Sequence, residues 1–326
     1  MGAAPRRLTR AARGLAAALA AGHIVGCASG PAAAPAAPAP VPFVDAHVHL
    51  NDVALQLDLM AANGIPQAVV FWGRNGDNAT VLAAARAHPD RFIAFASVSP
   101  ERREYRGDWA REDPRIVAHL DLLLRGGGFR GIGELSVVHF PAPGFPEAEY
   151  RLDGPVMSGI MELARRHRVP VLVHCELTRM REMESLLAAH RDVAVIWAHG
   201  GYTPYFLARR LVERHPNLTY ELSARTWRRH PRSPDYTIFM TDDTLWPEWR
   251  QLIEDHPTRF VVGTDAANRS RESDQARIDS VRALLAQLSP SARRAVASDN
   301  LLRLVAREPE VGGQWPEVTA TPVAAH

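Results

Sequence analysis

Residues 43–52 read Phe43-Val44-Asp45-Ala46-His47-Val48-His49-Leu50-Asn51-Asp52. An apolar strand pattern over Phe43–His47 runs into Asp-x-His-x-His. The period of two along an extended chain sets His47 and His49 on one face. Seven further short apolar runs follow, Gln67–Phe71, Phe92–Val98, Gly131–Leu135, Pro170–His174, Val193–His199, Leu218–Leu222 and Phe260–Thr264. Rich in Val, Ile and Phe with little polar alternation, they read as strands buried on both faces. Helical patterns fill the gaps: Val53–Ala62, Thr80–Ala87, Ile116–Arg125, Pro155–His167, Met180–His190, Pro204–His215, Trp246–His256 and Asp274–Leu288. Pro155 and Pro204 suit the first turn of a helix, which tolerates a missing N–H. Eight strands alternating with eight helices predict an α/β fold, a single (β/α)8 TIM barrel over residues 43–308. The alternative is an open doubly wound sheet. It would be favoured by a Gly-rich turn after the first strand, which His49-Leu50-Asn51-Asp52 is not.

The 14 histidines fall into two populations. His88, His190, His215 and His256 each close a helical stretch, where a cationic side chain complements the negative end of the dipole. A second population ends strands: His47 and His49 the first, His174 in Val171-Leu172-Val173-His174 the fifth, and His199 in Ile196-Trp197-Ala198-His199 the sixth; His167 also ends a helix, and His119, His230 and His326 have no motif around them. Glu134 ends the fourth strand and Asp265, in Gly263-Thr264-Asp265, follows the eighth. One such residue means little. Together they matter, because strand C-termini converge on the face where barrel enzymes keep their active sites. Histidines and carboxylates gathered there unpaired would cost several kcal/mol in desolvation, which a divalent cation offsets. Imidazole plus carboxylate suits zinc and related first-row metals.

This order of motifs resembles the amidohydrolase superfamily, and most closely its "amidohydrolase 2" branch of metal-dependent TIM-barrel hydrolases. Ser298-Asp299-Asn300-Leu301-Leu302-Arg303-Leu304 is similar to that branch's closing helix, and the likeness runs from about Phe43 to Ala306. The resemblance implies that His47, His49, His174 and Asp265 ligate a divalent metal, most simply zinc. His199 is then a second-metal ligand or a contact to substrate and transition state. Glu134 stands where many two-metal members carry a carboxylated lysine. All 38 basic residues here are arginine, so Glu134 itself would bridge two ions or hydrogen-bond a ligand histidine. One ion or two is left open.

On the hydrolytic reading Asp265 takes the proton of an activated water and delivers it to the leaving group. The bond cleaved is an ester, lactone, amide or phosphoester of a small molecule. Two alternatives stand beside it: a metal-dependent non-oxidative decarboxylase of the same branch, and a non-catalytic lipid-tethered binding protein. The last would be signalled by loss of Asp265 or the H-x-H pair, and both are intact. Candidate rim residues are Asn51, Trp72, Arg74, Glu176, Tyr202, Arg225 and Trp227, with Arg225 placed to clamp an anionic substrate group bidentately. Cys175 is expected to pack as a buried thiol.

The chain has 326 residues, 46% hydrophobic and 23% charged, near globular averages, which excludes disordered and fibrous classes. Two cysteines make no disulfide framework. Residues 1–27 hold Arg6, Arg7, Arg10 and Arg13 and no acid, followed by a short Leu/Ala run ending in Gly26-Cys27. These are the parts of a signal peptide. Ile24-Val25-Gly26-Cys27 resembles a bacterial lipobox with Cys27 lipidated; cleavage near Ala28–Gly30 is the plainer alternative. The expected location is outside the cytoplasm, periplasmic or cell-envelope. Without residues 1–27 the balance is 34 basic against 36 acidic side chains, and no basic stripe indicates a nucleic-acid partner. Residues 28–42, mostly Ala and Pro, form a semi-rigid linker, and residues 309–326 an aperiodic tail. The implied partner is a small-molecule substrate, with the membrane reached only through the lipid anchor. Oligomeric state is not legible.

Overall fold

The computed structural model describes residues 41–74, 76–100, 102–141, 147–227 and 236–306. The expected leader with Cys27, all but the end of the linker, and the tail lie outside the described residues. Among the described residues nine strands form one sheet: β1 (Asp45–Leu50), β2 (Ala68–Trp72), β3 (Phe92–Ala96), β4 (Gly131–His139), β5 (Ala148–Glu149), β6 (Val171–Cys175), β7 (Val195–Trp197), β8 (Leu218–Glu221) and β9 (Phe260–Val261). All neighbours pair in parallel in the order β1-β2-β3-β4-β6-β7-β8-β9, except β5, a short antiparallel addition to β4. The ring closes between β9 and β1. The Ala46 N–H donates to the Val262 carbonyl at 3.0 Å, the His49 N–H to the Ala266 carbonyl at 2.8 Å, and Val48 bridges Ala266 in parallel. This is the expected (β/α)8 barrel.

Alternation along the strands sorts their apolar side chains into two sets. Val69 and Phe71, Ile93 and Phe95, with Val44, Ala46, Leu172, Ile196 and Val261, plug the barrel interior. Val70, Trp72, Ala94, Val171, Val173 and their equivalents pack outward against the helices. Leu301 and Val305, on the closing helix, join the interior plug. The buried Asn300 ties that helix to β9, its amide donating to the carbonyls of Pro257 and Phe260 at 2.7 and 2.8 Å.

Helix starts follow local chemistry. Asp52 caps Val53–Asn63, accepting from the Leu55 N–H at 3.0 Å, and Asp77 caps Asn78–Ala87, accepting from the Thr80 N–H at 2.7 Å. Pro155 opens Pro155–His167 at its first turn. His88, His190, His215 and His256 all stand at helix C-caps, as their sequence positions indicate.

Four departures from the expected elements have physical causes. The sixth and eighth barrel strands are shorter, and β4 runs on to His139 because β5 pairs with its end. After Val261 the β9 ladder gives way to a side chain: the Asp45 carboxylate accepts from the Thr264 N–H at 2.9 Å and its hydroxyl at 2.6 Å. Past Trp197 the chain turns left-handed, with φ near +55° from His199 to Tyr202. A helix at Arg103–Ala110 has no periodicity to announce it, since among its residues only Trp109 is buried.

Candidate metal centre

The site begins with a bulge. Val44 and Ala46 face the barrel interior, so regular alternation would turn His47 outward. The β1–β2 register shifts between Asp45 and Val48, and the extra residue returns His47 and His49 to the inner face. There they lie edge-on to Phe71, with centroids 5.1 and 4.7 Å away. Asp45 braces the bulge, accepting from the His47 N–H at 3.1 Å as well as from Thr264. Burial raises the Asp45 carboxyl to about 6 against these hydrogen bonds.

On the far side His199 adopts φ +55°, followed by Gly200 and Gly201 at +51° and +58°. Glycine is required at both. A Cβ on Gly200 would lie 1.7 Å from the Tyr220 ring, and one on Gly201 2.3 Å from Trp197. For a non-glycine residue the left-handed region costs about 1–3 kcal/mol. Arg225 holds the turn. It is 2% exposed, and its guanidinium donates to the Thr203 carbonyl at 3.0 Å, the His199 carbonyl at 3.4 Å and the Tyr220 hydroxyl at 2.7 Å. Arg225 is therefore a buried brace of the His199 turn rather than the bidentate clamp on an anionic substrate group expected from sequence.

The six side chains singled out as ligands come together around Glu134, which is 4% exposed. Its Oε2 lies 3.5 Å from His47 Nε2 and 3.3 Å from His49 Nε2; Asp265 Oδ1 lies 3.5 and 3.2 Å from the same two nitrogens. Its Oε1 faces the other pair, 3.0 Å from His174 Nδ1 and 3.9 Å from His199 Nε2. Tetrahedral coordination with bonds of about 2.0–2.2 Å places ligand atoms about 3.3 Å apart. The four separations around His47 and His49 are of that size, and ligand atoms of His47, His49 and Asp265, and of His47, Glu134 and His199, lie within 4.8 Å of one another. His47 also passes the test from the other direction: it is fully buried, and neither ring nitrogen has a hydrogen-bond partner. The donor set fits a divalent cation.

Acceptors behind the rings select which nitrogen is presented. His199 Nδ1 lies 3.1 Å from the Ser223 carbonyl, which can only accept, so Nδ1 carries the proton and Nε2 presents its lone pair toward Glu134. His174 Nε2 faces the Glu176 carboxylate at 3.4 Å, leaving Nδ1 for the centre. His47 Nδ1 faces Glu221 at 3.4 Å, leaving Nε2. Carboxylate or carbonyl partners of this kind orient metal-ligating histidines. Glu221 is fully buried and also accepts from the His199 N–H at 3.1 Å and from the Ser223 N–H and hydroxyl at 2.6 and 2.7 Å.

Without a cation the carboxylates draw protons onto the rings. Burial pulls His49 and His174 down, but Asp265 and Glu134, and Glu134 and Glu176, outweigh it and push each to about 9. His47 is likewise held well above its usual range by Glu134 and Glu221 despite burial. Glu134 and Asp265 are held below theirs, again against burial. His199 goes the other way, down to about 4, through burial and the neighbouring His174.

Of the remaining rim candidates, Tyr202 reaches the centre, stacked on His199 at 5.2 Å. Asn51 ties the loop after β1 to the loop after β9, its amide donating to the Ala267 carbonyl at 2.8 Å. Trp72 packs away from the centre, 4% exposed, its indole donating to the Ser97 carbonyl at 3.1 Å and its face covered by Arg102. Arg74 is exposed, and Trp227 lies against Arg277 at 4.4 Å. Cys175 is buried among apolar side chains, and burial pushes its thiol up.

Three residues escape a reading of strand ends. Glu221 is a charge inside a buried strand, a signal present in Leu218-Thr219-Tyr220-Glu221. His139 lies against His174, the ring centroids 4.8 Å apart and the planes tilted by 35°, and is hidden because β4 outruns its apolar pattern. Arg277 comes from a helix, where nothing in the sequence marks it.

Similarities to known proteins agree with this arrangement. The uncharacterised TIM-barrel protein of Bordetella bronchiseptica superposes with TM-score 0.58 at 18% identity, over 81% of this chain and 98% of that one. 2,6-Dihydroxybenzoate decarboxylase from Rhizobium superposes with TM-score 0.52 at 16% identity, over 81% and 98%. A probable 2-pyrone-4,6-dicarboxylic acid hydrolase of Acinetobacter baumannii gives 0.53 at 13%, also over 81% and 98%. At these identities the likeness is one of fold. No curated protein matches the sequence. The family model described as amidohydrolase matches residues 44–307. The chain belongs to the amidohydrolase family.

Proposed function

We propose that this protein is a metal-dependent hydrolase of a small-molecule ester, lactone, amide or phosphoester, with zinc as its metal. One observation carries the reading: the two oxygens of the buried Glu134 each meet a different pair of imidazoles. His47, His49, Glu134 and Asp265 would hold one ion, and Glu134, His174 and His199 a second. A bound divalent ion supplies Lewis acidity, polarising the scissile oxygen and acidifying water.

The chain does the rest. Asp265 is 21% exposed, so its carboxylate can meet a water and a leaving group in turn as base and then acid. His199, with its proton fixed at Nδ1, has no Nε2 proton to offer an oxyanion, which favours ligation over transition-state contact. Arg225 and Glu221 keep His199 and His47 in place. Metal-loaded protein turning over members of an ester, lactone, amide and phosphoester panel would support this reading; no turnover by any class would overturn it.

The second reading, non-oxidative decarboxylation, is favoured by the fold likeness to 2,6-dihydroxybenzoate decarboxylase. CO2 released from unsaturated or aromatic acids without incorporation of water would select it. We also propose export and lipid anchoring at Cys27. Among the described residues no helix is long and apolar enough to cross a membrane.

A further inference from the structure

We infer that Arg277, held over the Trp227 ring beside Asp265, is the arm that recognises an oxyanion on the substrate. The inference deepens the reading above and rests on it for the location of the substrate.

Arg277 lies on the helix Arg271–Ala286 that follows β9. Its guanidinium sits 4.4 Å over the Trp227 ring, and Nη1 is 3.8 Å from Asp265 Oδ2, an ion pair too long for a hydrogen bond. Nη1 is enclosed and has no hydrogen-bond partner, while the side chain as a whole is 23% exposed. Asp274, one turn earlier, makes no close ion pair with it, although the Arg277 charge lowers that carboxyl against the burial that raises it. In Arg282 and Arg225 both terminal nitrogens donate hydrogen bonds, although Nε is unpartnered in each. Arg282, further along the helix, donates to Asn63 Oδ1 and carbonyl at 2.8 and 2.6 Å, and Arg225 braces the His199 turn.

A guanidinium carries five donors in a planar fork. The cation–π contact holds the guanidinium over the ring, and its planar fork matches a carboxylate or phosphoryl group. An anion on its exposed edge would bring the attached reacting group next to Asp265.

The test is calorimetric titration of metal-loaded protein, its ion content measured on the same sample, with benzoate, phenylphosphonate and the uncharged benzamide. Each probe joins its polar group to a ring that Trp227 can contact. The proposal expects at least one anion to bind at least tenfold more tightly than benzamide; which one binds tells carboxylate from phosphoryl recognition. Arg277→Met should lose at least tenfold with ion content and melting temperature unchanged, and Arg277→Lys should retain part of the affinity. Equal binding of benzamide, anion binding that survives Arg277→Met, no anion binding, or loss of metal from Arg277→Met would each overturn it. Protein that takes up no metal refutes the hydrolase reading instead, and the titration still reports on Arg277, which is not a ligand.

Discussion

Glu221→Gln tests whether the residues behind the histidines hold the centre together. Glu221 is fully buried, and both its oxygens only accept: Oε1 from the Ser223 N–H, and Oε2 from the His199 N–H and the Ser223 hydroxyl, with His47 Nδ1 3.4 Å away. An amide keeps one acceptor and must point its NH2 at an N–H whichever way it is flipped. The loss is one charge-assisted hydrogen bond, about 1.5–3 kcal/mol. Loss of an orienting partner ordinarily lowers metal affinity about 10–100-fold, which at 1.4 kcal/mol per tenfold is about the same energy. The assay is competition for zinc against a chromophoric chelator, with circular dichroism of the metal-free variant as the control for folding. A folded variant that takes up zinc with wild-type affinity would refute the reasoning.

Further outcomes are expected. Asp265→Asn should lower kcat about 10²–10⁴-fold with metal content and fold retained; near-normal kcat would remove Asp265 from proton transfer. Metal binding should release protons, because His47, His49 and His174 are held protonated at neutral pH by the carboxylates around them. Calorimetry in buffers of different ionisation enthalpy reads this release, which should shrink as pH rises through about 9, and its absence at pH 7 would contradict the electrostatics. Arg225→Met should lower the urea midpoint by removing charge-assisted hydrogen bonds worth about 1.5–3 kcal/mol each, and an unchanged midpoint would deny the brace. Cys27→Ser should move the protein from the membrane to the soluble fraction; an unaltered membrane fraction would count against lipidation.

The barrel was legible because parallel strands buried on both faces leave apolar runs at regular spacing, and because the ligands stand at the ends of those runs. What the pattern hides is where backbone geometry breaks. The bulge at Asp45–His47 and the left-handed turn at His199 are tertiary solutions, held by Thr264 and by Arg225 from the segments that follow β9 and β8. Glu134 was legible as a strand-end carboxylate, but its division between two pairs of imidazoles required the fold. Arg225 and Arg277 illustrate a sharper limit. Sequence position placed the first at the rim and gave no role to the second, yet the first donates to two carbonyls and the Tyr220 hydroxyl while Nη1 of the second has no hydrogen-bond partner.

Metal content by elemental mass spectrometry, on the purified wild type and Glu134→Gln, tests the bridging carboxylate most directly. The account predicts two divalent ions per chain in the wild type and at most one in the variant. A wild type without metal, or a stoichiometry that Glu134→Gln leaves unchanged, would contradict it.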